Sequence, residues 1–327
     1  MGNLLHYNPI ETKETMRRMQ KAARKEHLMF DLIIIGAGPA GVSAAVYADS
    51  RRLDTLIIEK NKVGGLIGNV STVTHYGAVS PEETGNSFAA ALATQLERTR
   101  VSLRHETVTS VSLLGVVKNV HTDKGTYEGK KVIIAGGSTA KIPPVVGAER
   151  FLGKSFALNA QRDGEKYAGK HVFVLGGADG AAKEALFLSR FASKVTMLVM
   201  EPRLDACKDF ASRIEANEKI EVLLGRTLAA LEGENEIRTL IVHTTNGEER
   251  IQAPGAGIFS YIGSAPNTDI YPELSLVGGY IPVNEQMETA IEGVYAVGDI
   301  RVKQVRQVAT AVADGAIAAI HAAKTLG

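Results

Sequence analysis

The sequence predicts an α/β protein made of two nested, Rossmann-like three-layer domains, the second inserted within the first. Two observations carry this: a strand, glycine turn and helix beginning at Asp31, and a second such unit beginning at His171. A third is the return of apolar strands late in the chain, which the first unit needs for completion. The first unit is the sharper. Leu32 to Ile35 are four consecutive leucine or β-branched residues, the pattern of a buried strand. Gly36, Gly38 and Gly41 follow as G-x-G-x-x-G, with Pro39 and Ala40 opening the helix, and Glu59 ends a second strand, TLIIE. In that context the glycines serve a tight turn, a close backbone approach to a pyrophosphate and close helix packing, while the acid accepts ribose hydroxyls. The helix N-terminus faces the phosphates. An adenine dinucleotide is expected.

The other elements follow in order. Residues 1–29 carry Lys13, Arg17, Arg18, Lys21, Arg24 and Lys25 beside Met16, Met19 and Ala23, which reads as a short basic helix. It is either a solvated arm packed on the body or a docking surface for an acidic partner. After Glu59 come Gly64 and Gly65, a Thr- and Ser-containing loop, a helical pattern over 82–98 and strand-like alternation over 101–120. KVIIAGGS at 131–138 is a strand ending on glycines, and Pro143 and Pro144 mark a linker. The inserted unit then shows HVFVL at 171–175, GGADGAAKEAL, and KVTMLVME at 194–201, with further strands at 220–224 and 239–244. GIFSYIGSAPNT, GVYAVGDI and an alanine-rich helix over 307–325 complete the chain. The expected boundaries are an arm at 1–29, a first part at 30–142, an insert at 143–254 and a second part at 255–327.

Composition narrows the function classes. Lys and Arg number 37 against 36 Asp and Glu, so no global field favours nucleic acid or an anionic membrane. Cys207 is the single cysteine, which excludes an internal disulfide and a cysteine metal cluster, and no metal is expected. No apolar run reaches the roughly 18 residues of a membrane span. A soluble, cytoplasmic protein is expected.

Three motifs in order, GAGPAG at 36–41, YIGSAPNT at 261–268 and GVYAVGD at 293–299, resemble the low-molecular-weight thioredoxin reductases from about Phe30 onward. The resemblance implies a homodimeric flavoprotein whose FAD domain is split by an NADPH domain. It implies that Asp299, next to Gly298, binds the ribitol of FAD, and that Arg306, Gln307 and Val308 lead a helix toward the pyrimidine end of the flavin. A helix N-terminus there stabilises negative charge on the ring. Gly65, Leu66, His75 and Tyr76 fall where the family lines the flavin, with His75 in place of the usual Asn. Lys60, Val108, Ala135, Gly136 and Gly137 complete the implied FAD contacts.

The departures are as informative. Where the family has C-A-T-C-D-G, this chain has Asn159, Ala160, Gln161, Arg162, Asp163 and Gly164. Thiol-disulfide exchange needs a thiolate and a sulfur, which amide and guanidinium cannot replace. For G-G-G-D-S-A the chain has Gly176, Gly177, Ala178, Asp179, Gly180 and Ala181, putting a methyl group where a pyrophosphate would approach. For the His-Arg-Arg that grips the NADPH 2′-phosphate it has Val199, Met200 and Glu201. Losing two charge-assisted hydrogen bonds costs roughly 3 to 6 kcal/mol. NADPH is therefore a poor ligand, while NADH on Glu201, a second flavin, or a vestigial fold all stay open for the second unit.

The first reading is an FAD oxidoreductase that takes electrons from ferredoxin or another flavin and does not reduce a protein disulfide. Asn159, Arg162 and Asp163 are its candidate catalytic residues, Arg162 as a fixed cation and Asp163 as a proton donor. The same segment also reads as a plain turn. The alternatives are an NADH-dependent flavin reductase-type enzyme and a flavin-binding regulatory protein without turnover.

Overall fold

The computed structural model describes residues 29–326; of the basic arm expected at 1–29, residues 1–28 lie outside them and Met29 already belongs to the first strand. In chain order the first lobe forms β1 (Met29–Ile35), α1 (Pro39–Ser50), β2 (Thr55–Glu59), α2 (Gly85–Glu97), β3 (Ser102–His105), β4 (Val108–Ser112), β5 (Lys118–Thr122) and β6 (Thr126–Ile134). A short strand, β7 (Ser138–Ala140), leads out of it. The insert contains β8 (Phe156–Ala157), α3 (Ala160–Asp163), β9 (His171–Leu175), α4 (Asp179–Leu188), β10 (Lys194–Val199), α5 (Lys208–Glu215) and β11 (Ile220–Leu224). It continues through β12 (Thr227–Glu232), β13 (Thr239–Thr244), β14 (Gly247–Gln252) and β15 (Gly257–Ser260). β16 (Ser264–Pro266) leads back, and β17 (Val294–Ala296) and α6 (Val308–Lys324) close the first lobe.

The first sheet runs β3-β2-β1-β6-β5-β4, with β17 also paired to β6. β1 is parallel to both β2 and β6. A strand buried on both faces must be apolar throughout, as Leu32 to Ile35 are. Leu32 and Ile34 pack with Ala40, Ala44, Ala318 and Ala319 on the helical face, and Ile33 and Ile35 pack with Val111, Val120 and Tyr271 on the other. The alanines let α6 lie close on α1: a Cβ at Gly315 would stand 2.1 Å from the Ala40 carbonyl oxygen.

The second sheet, β11-β10-β9-β15-β8, repeats the β3-β2-β1-β6 order with a parallel core. Ala181, Ala185, Leu188 and Phe210 cover one face, and the three-stranded antiparallel sheet of β12, β13 and β14 supplies Leu228, Leu231, Leu240 and Val242 to the other. Each lobe is thus three layers deep, as expected from the repeated pattern.

One expected boundary is corrected. β15 pairs with β9 along Gly257 to Ser260, so the chain leaves the second sheet after Ser260 and not at 254. A short apolar run names no sheet; pairing partners far away in sequence decide that. The helices over 82–98 and 307–325 are each slightly shorter, at 85–97 and 308–324. Thr84 sets the start of α2 by accepting the Ser87 N–H at 3.1 Å.

Candidate functional site

The first glycine turn shows why side chains are excluded there. Gly36 has φ of 103°, and a Cβ on it would stand 2.4 Å from the Ala135 carbonyl oxygen. At Gly41 the same atom would lie 1.9 Å from the Gly36 oxygen. At Gly38 the nearest atom is 3.9 Å away, so that turn faces open space. Gly38 caps α1, and Pro39 occupies its first turn, where a missing N–H costs nothing.

A cleft of about 1870 Å³ opens from this turn. Gly36, Gly38, Pro39, Ala40, Glu59, Lys60, Gly65, Leu66, His75, Val108, Ala135, Gly136 and Gly137 line it, joined by Gly298, Asp299, Arg306, Gln307 and Val308 from the far end of the chain. Gly41 is outside the lining and packs beneath it. Buried Glu59 accepts the Ala37 N–H on Oε2 and the Asn61 N–H on Oε1, both at 2.8 Å, which fixes its carboxylate at the cleft edge.

The opposite end of the cleft is charged. Burial pushes the Asp299 carboxyl up, Lys303 and Arg306 pull it down, and nearby Asp314 pushes it further up, for a net rise. Arg306 stacks on Tyr280 with its guanidinium 4.1 Å from the ring centre, and its buried Nε has no hydrogen-bond partner among the described residues. Asp314, nearly two turns inside α6, accepts the Gly298 N–H at 3.0 Å and pairs with Arg301 and Lys303 at 2.7 and 2.8 Å. It thereby fastens the Gly298–Asp299 turn to the helix whose N-terminus, at Gln307 and Val308, meets the cleft.

These residues fit FAD. A glycine turn open to a ligand and a helix N-terminus suit a pyrophosphate, Glu59 suits a ribose diol, and an orphaned buried donor on Arg306 suits an acceptor atom. Asn267, which the sequence reading quoted but did not assign, also lines the cleft and donates to the Gly136 oxygen at 2.8 Å. Position in the YIGSAPNT motif was the available signal.

The inserted lobe forms the other wall through Asn159, Gln161, Arg162, Asp179, Gly180, Lys183 and Phe210. Gln161, Lys183 and Phe210 were missed, because only the folding of α3, α4 and α5 against the first lobe brings them there. Asn159 caps α3 by accepting the Arg162 N–H at 2.9 Å and donates to Asn69 of the first lobe at 3.1 Å. Asp163 is a correction. Its carboxylate is buried, outside the lining, and paired with Arg162 at 2.6 Å and Lys166 at 2.7 Å. Burial raises its pKa, but the hydrogen bonds from Arg162 and Lys166 outweigh that and hold it below the usual range. It is an acceptor here and not a proton donor.

The residues considered for a second nucleotide are divided. Asp179 and Gly180 reach the cleft, whereas Gly176, Gly177 and Glu201 do not line it. The Val199 side chain covers Gly177, where an added Cβ would be 2.5 Å from Cγ1. The loop after β10 returns over the turn: Asp205 N–H donates to the Gly177 oxygen at 2.9 Å and Cys207 N–H to Asp179 Oδ1 at 2.7 Å. Among the described residues no group of His, Cys, Asp and Glu could hold a metal, and no helix is long and apolar enough to cross a membrane.

Comparison with known proteins agrees with this geometry. The chain is 36% identical over 304 residues to a thioredoxin reductase of Peptoclostridium litorale, covering 90% of this chain and 96% of the relative. The thioredoxin reductase of Lactococcus lactis, solved in its FR conformation, superposes with a TM-score of 0.86 at 31% identity, covering 90% of this chain and 98% of that one. A ferredoxin-flavin thioredoxin reductase from Clostridium acetobutylicum superposes with a TM-score of 0.51 at 25% identity, covering 91% and 98%. Residues 30–315 match the family described as pyridine nucleotide-disulphide oxidoreductase, and the chain belongs to that family.

Proposed function

We propose that this protein is an FAD-dependent oxidoreductase of the thioredoxin reductase-like type that neither relays electrons through a cysteine pair nor takes them from NADPH. The observation that carries the reading is the cleft wall at 159–164. Gln161 and Arg162 face the cleft there, and the chain's one cysteine, Cys207, does not line it. A dithiol relay needs two sulfurs beside the ring. When bound, FAD would supply two-electron chemistry; the chain's residues bind, orient and shield it. Arg162 supplies a fixed cation at the cleft wall, although its charge is shared with Asp163.

The proposed donor is a ferredoxin or another flavin. The name of the C. acetobutylicum structure supports a ferredoxin donor on this fold. The run of basic residues from Lys13 to Lys25 in the sequence is opposite in charge to an acidic ferredoxin. We take the assembly to be a homodimer.

Anaerobic titration of the yellow protein tests the reading. Reduced ferredoxin is expected to bleach the flavin absorbance and NADPH to leave it unchanged. Bleaching by NADPH, or turnover with thioredoxin as acceptor, would overturn it. NADH as donor is the second reading, favoured by the acid at Glu201 after β10; rapid bleaching by NADH would establish it in place of the first.

A further inference from the structure

Two chain crossings join the lobes, and they lie side by side. Outbound β7 and returning β16 pair as a two-stranded antiparallel ribbon. Gly137 and Gly263 flank it with φ of 61° and 102°, and at neither would an added Cβ meet an atom within 4 Å. Positive-φ glycines with room around them at both ends give the ribbon the backbone freedom a hinge requires. The angle between the lobes is then set by contacts away from the ribbon.

Those contacts converge on one loop of the first lobe, residues 69–75. Ser71 N–H donates to Glu184 Oε1 at 3.1 Å, and Lys183 Nζ donates to the Thr72 oxygen at 3.0 Å. Asn159 donates to Asn69, and the His75 ring packs on Phe210 at 5.5 Å between centroids. Glu184 is 1% exposed, and among the described residues its second oxygen has no hydrogen-bond partner; neither has the hydroxyl of Ser71, which is equally buried. Lys183 is 3.6 Å from Glu184. The loop follows directly on Gly65 and Leu66, which line the cleft.

We propose that Glu184 and Lys183 form a proton-dependent latch, positioning the inserted lobe over the cleft by gripping the backbone of loop 69–75. A carboxylate at this boundary is dehydrated when the lobes are latched and regains water when they part. The groups facing it are Lys183 on α4, Ser71 on the gripped loop and Tyr261 after β15, whose phenol accepts the Ala160 N–H. Asp163 acts on Tyr261 from α3. Burial raises the Glu184 carboxyl, with Lys183 and Ser71 offsetting part of the rise. A group raised in the latched state favours that state below the ordinary carboxylate range, and the advantage is lost as pH climbs through the raised value. A proton on Glu184 also gives a donor to an interface that holds two acceptor-capable orphans.

Disulfide trapping of the FAD-loaded full chain tests this. Asn69→Cys and Asn159→Cys, in a Cys207→Ser background, put two thiols on either side of the present Asn69–Asn159 contact, one atom short of it on each side, so that they can join only when the lobes are closed. The trapping rate of this parent is divided by that of the same protein carrying Glu184→Gln, at about pH 5 and about pH 8, so that thiolate chemistry cancels. Glutamine keeps the acceptor for Ser71 and never ionises. The ratio is expected near unity at the lower pH and to fall several-fold at the higher. Glu184→Ala, which lets go of the loop, is expected to trap more slowly than either at both. Should Glu184→Ala fail to fold, Lys183→Met takes its place, since it loses the Thr72 bond and the charge beside Glu184 but keeps the carboxyl that holds Ser71. A ratio that does not change with pH, or an alanine or methionine variant that traps as fast as the parent, would overturn the latch.

Discussion

Gly38 and Gly41 are three residues apart on one turn and obey different constraints. An alanine at Gly41 drives a methyl group into the Gly36 carbonyl, so backbone must shift. Overpacking of this kind costs about 1–3 kcal/mol, and Gly41→Ala is expected to lower the melting temperature of the FAD-free protein. Gly38 has φ of −71° and space around it, so Gly38→Ala folds with a change below about 1 kcal/mol. Its methyl group instead occupies ligand space, and released FAD per chain is expected to fall while the apoprotein melt stays put. Equal losses of apoprotein stability in the two variants would contradict this division. Glu59→Ala belongs with Gly41: it leaves the Ala37 and Asn61 N–H groups without their acceptor, at about 1–3 kcal/mol for the buried one.

At the level of elements, one side chain of α6, Asp314, fastens that helix to the Gly298–Asp299 turn. Burial disfavours the Asp314 charge, yet hydrogen bonds from Arg301 and Lys303 prevail and hold its pKa below the ordinary value. Stability from a depressed carboxylate is present above its ordinary pKa and lost as pH falls through the depressed one. The structure around α6 is therefore expected to weaken only in strong acid. Asp314→Asn removes that acid limb and leaves Lys303, 5% exposed, without its countercharge, at a cost of about 3–5 kcal/mol. Because the same carboxylate holds the Gly298–Asp299 turn, FAD retention is expected to fall with stability. A urea titration across pH, paired with flavin release, checks both. The start and length of α6 were readable from its alanine run, but the role of Asp314 was not: Arg301 and Lys303 become its partners only once the chain turns at Gly298.

For the whole molecule, the nucleotide preference and the docking of partners are expected to be separable. Met200 is 65% exposed and Glu201 is exposed, so arginines at both positions point to solvent where a 2′-phosphate would arrive. Met200→Arg with Glu201→Arg is expected to tighten NADPH about 10- to 100-fold by calorimetry, and the loop over Gly177 keeps the gain below that of an open site. Reduction by ferredoxin is expected to slow with added salt, and removing residues 1–28 is expected to abolish that sensitivity. Unchanged salt dependence in the truncated protein would remove the arm from the docking.

What the sequence determined by itself was local and repetitive. Strand, glycine turn and acid lie within thirty or so residues, and the same order recurs at His171, because each residue type there answers to a backbone or ligand need set by its near neighbours. The three-layer plan was readable for that reason, and so were the residues assigned to FAD, of which all but Gly41 line the cleft. Tertiary structure alone decided which sheet takes β15, that Asp163 is spent on Arg162 and Lys166, and that Lys183, Glu184 and Phe210 meet a loop more than a hundred residues away. The pairing of β15 and the meeting of α4 and α5 with that loop rest on contacts between distant segments, and for Asp163, whose partners are near neighbours, it is the burial that only the folded chain supplies.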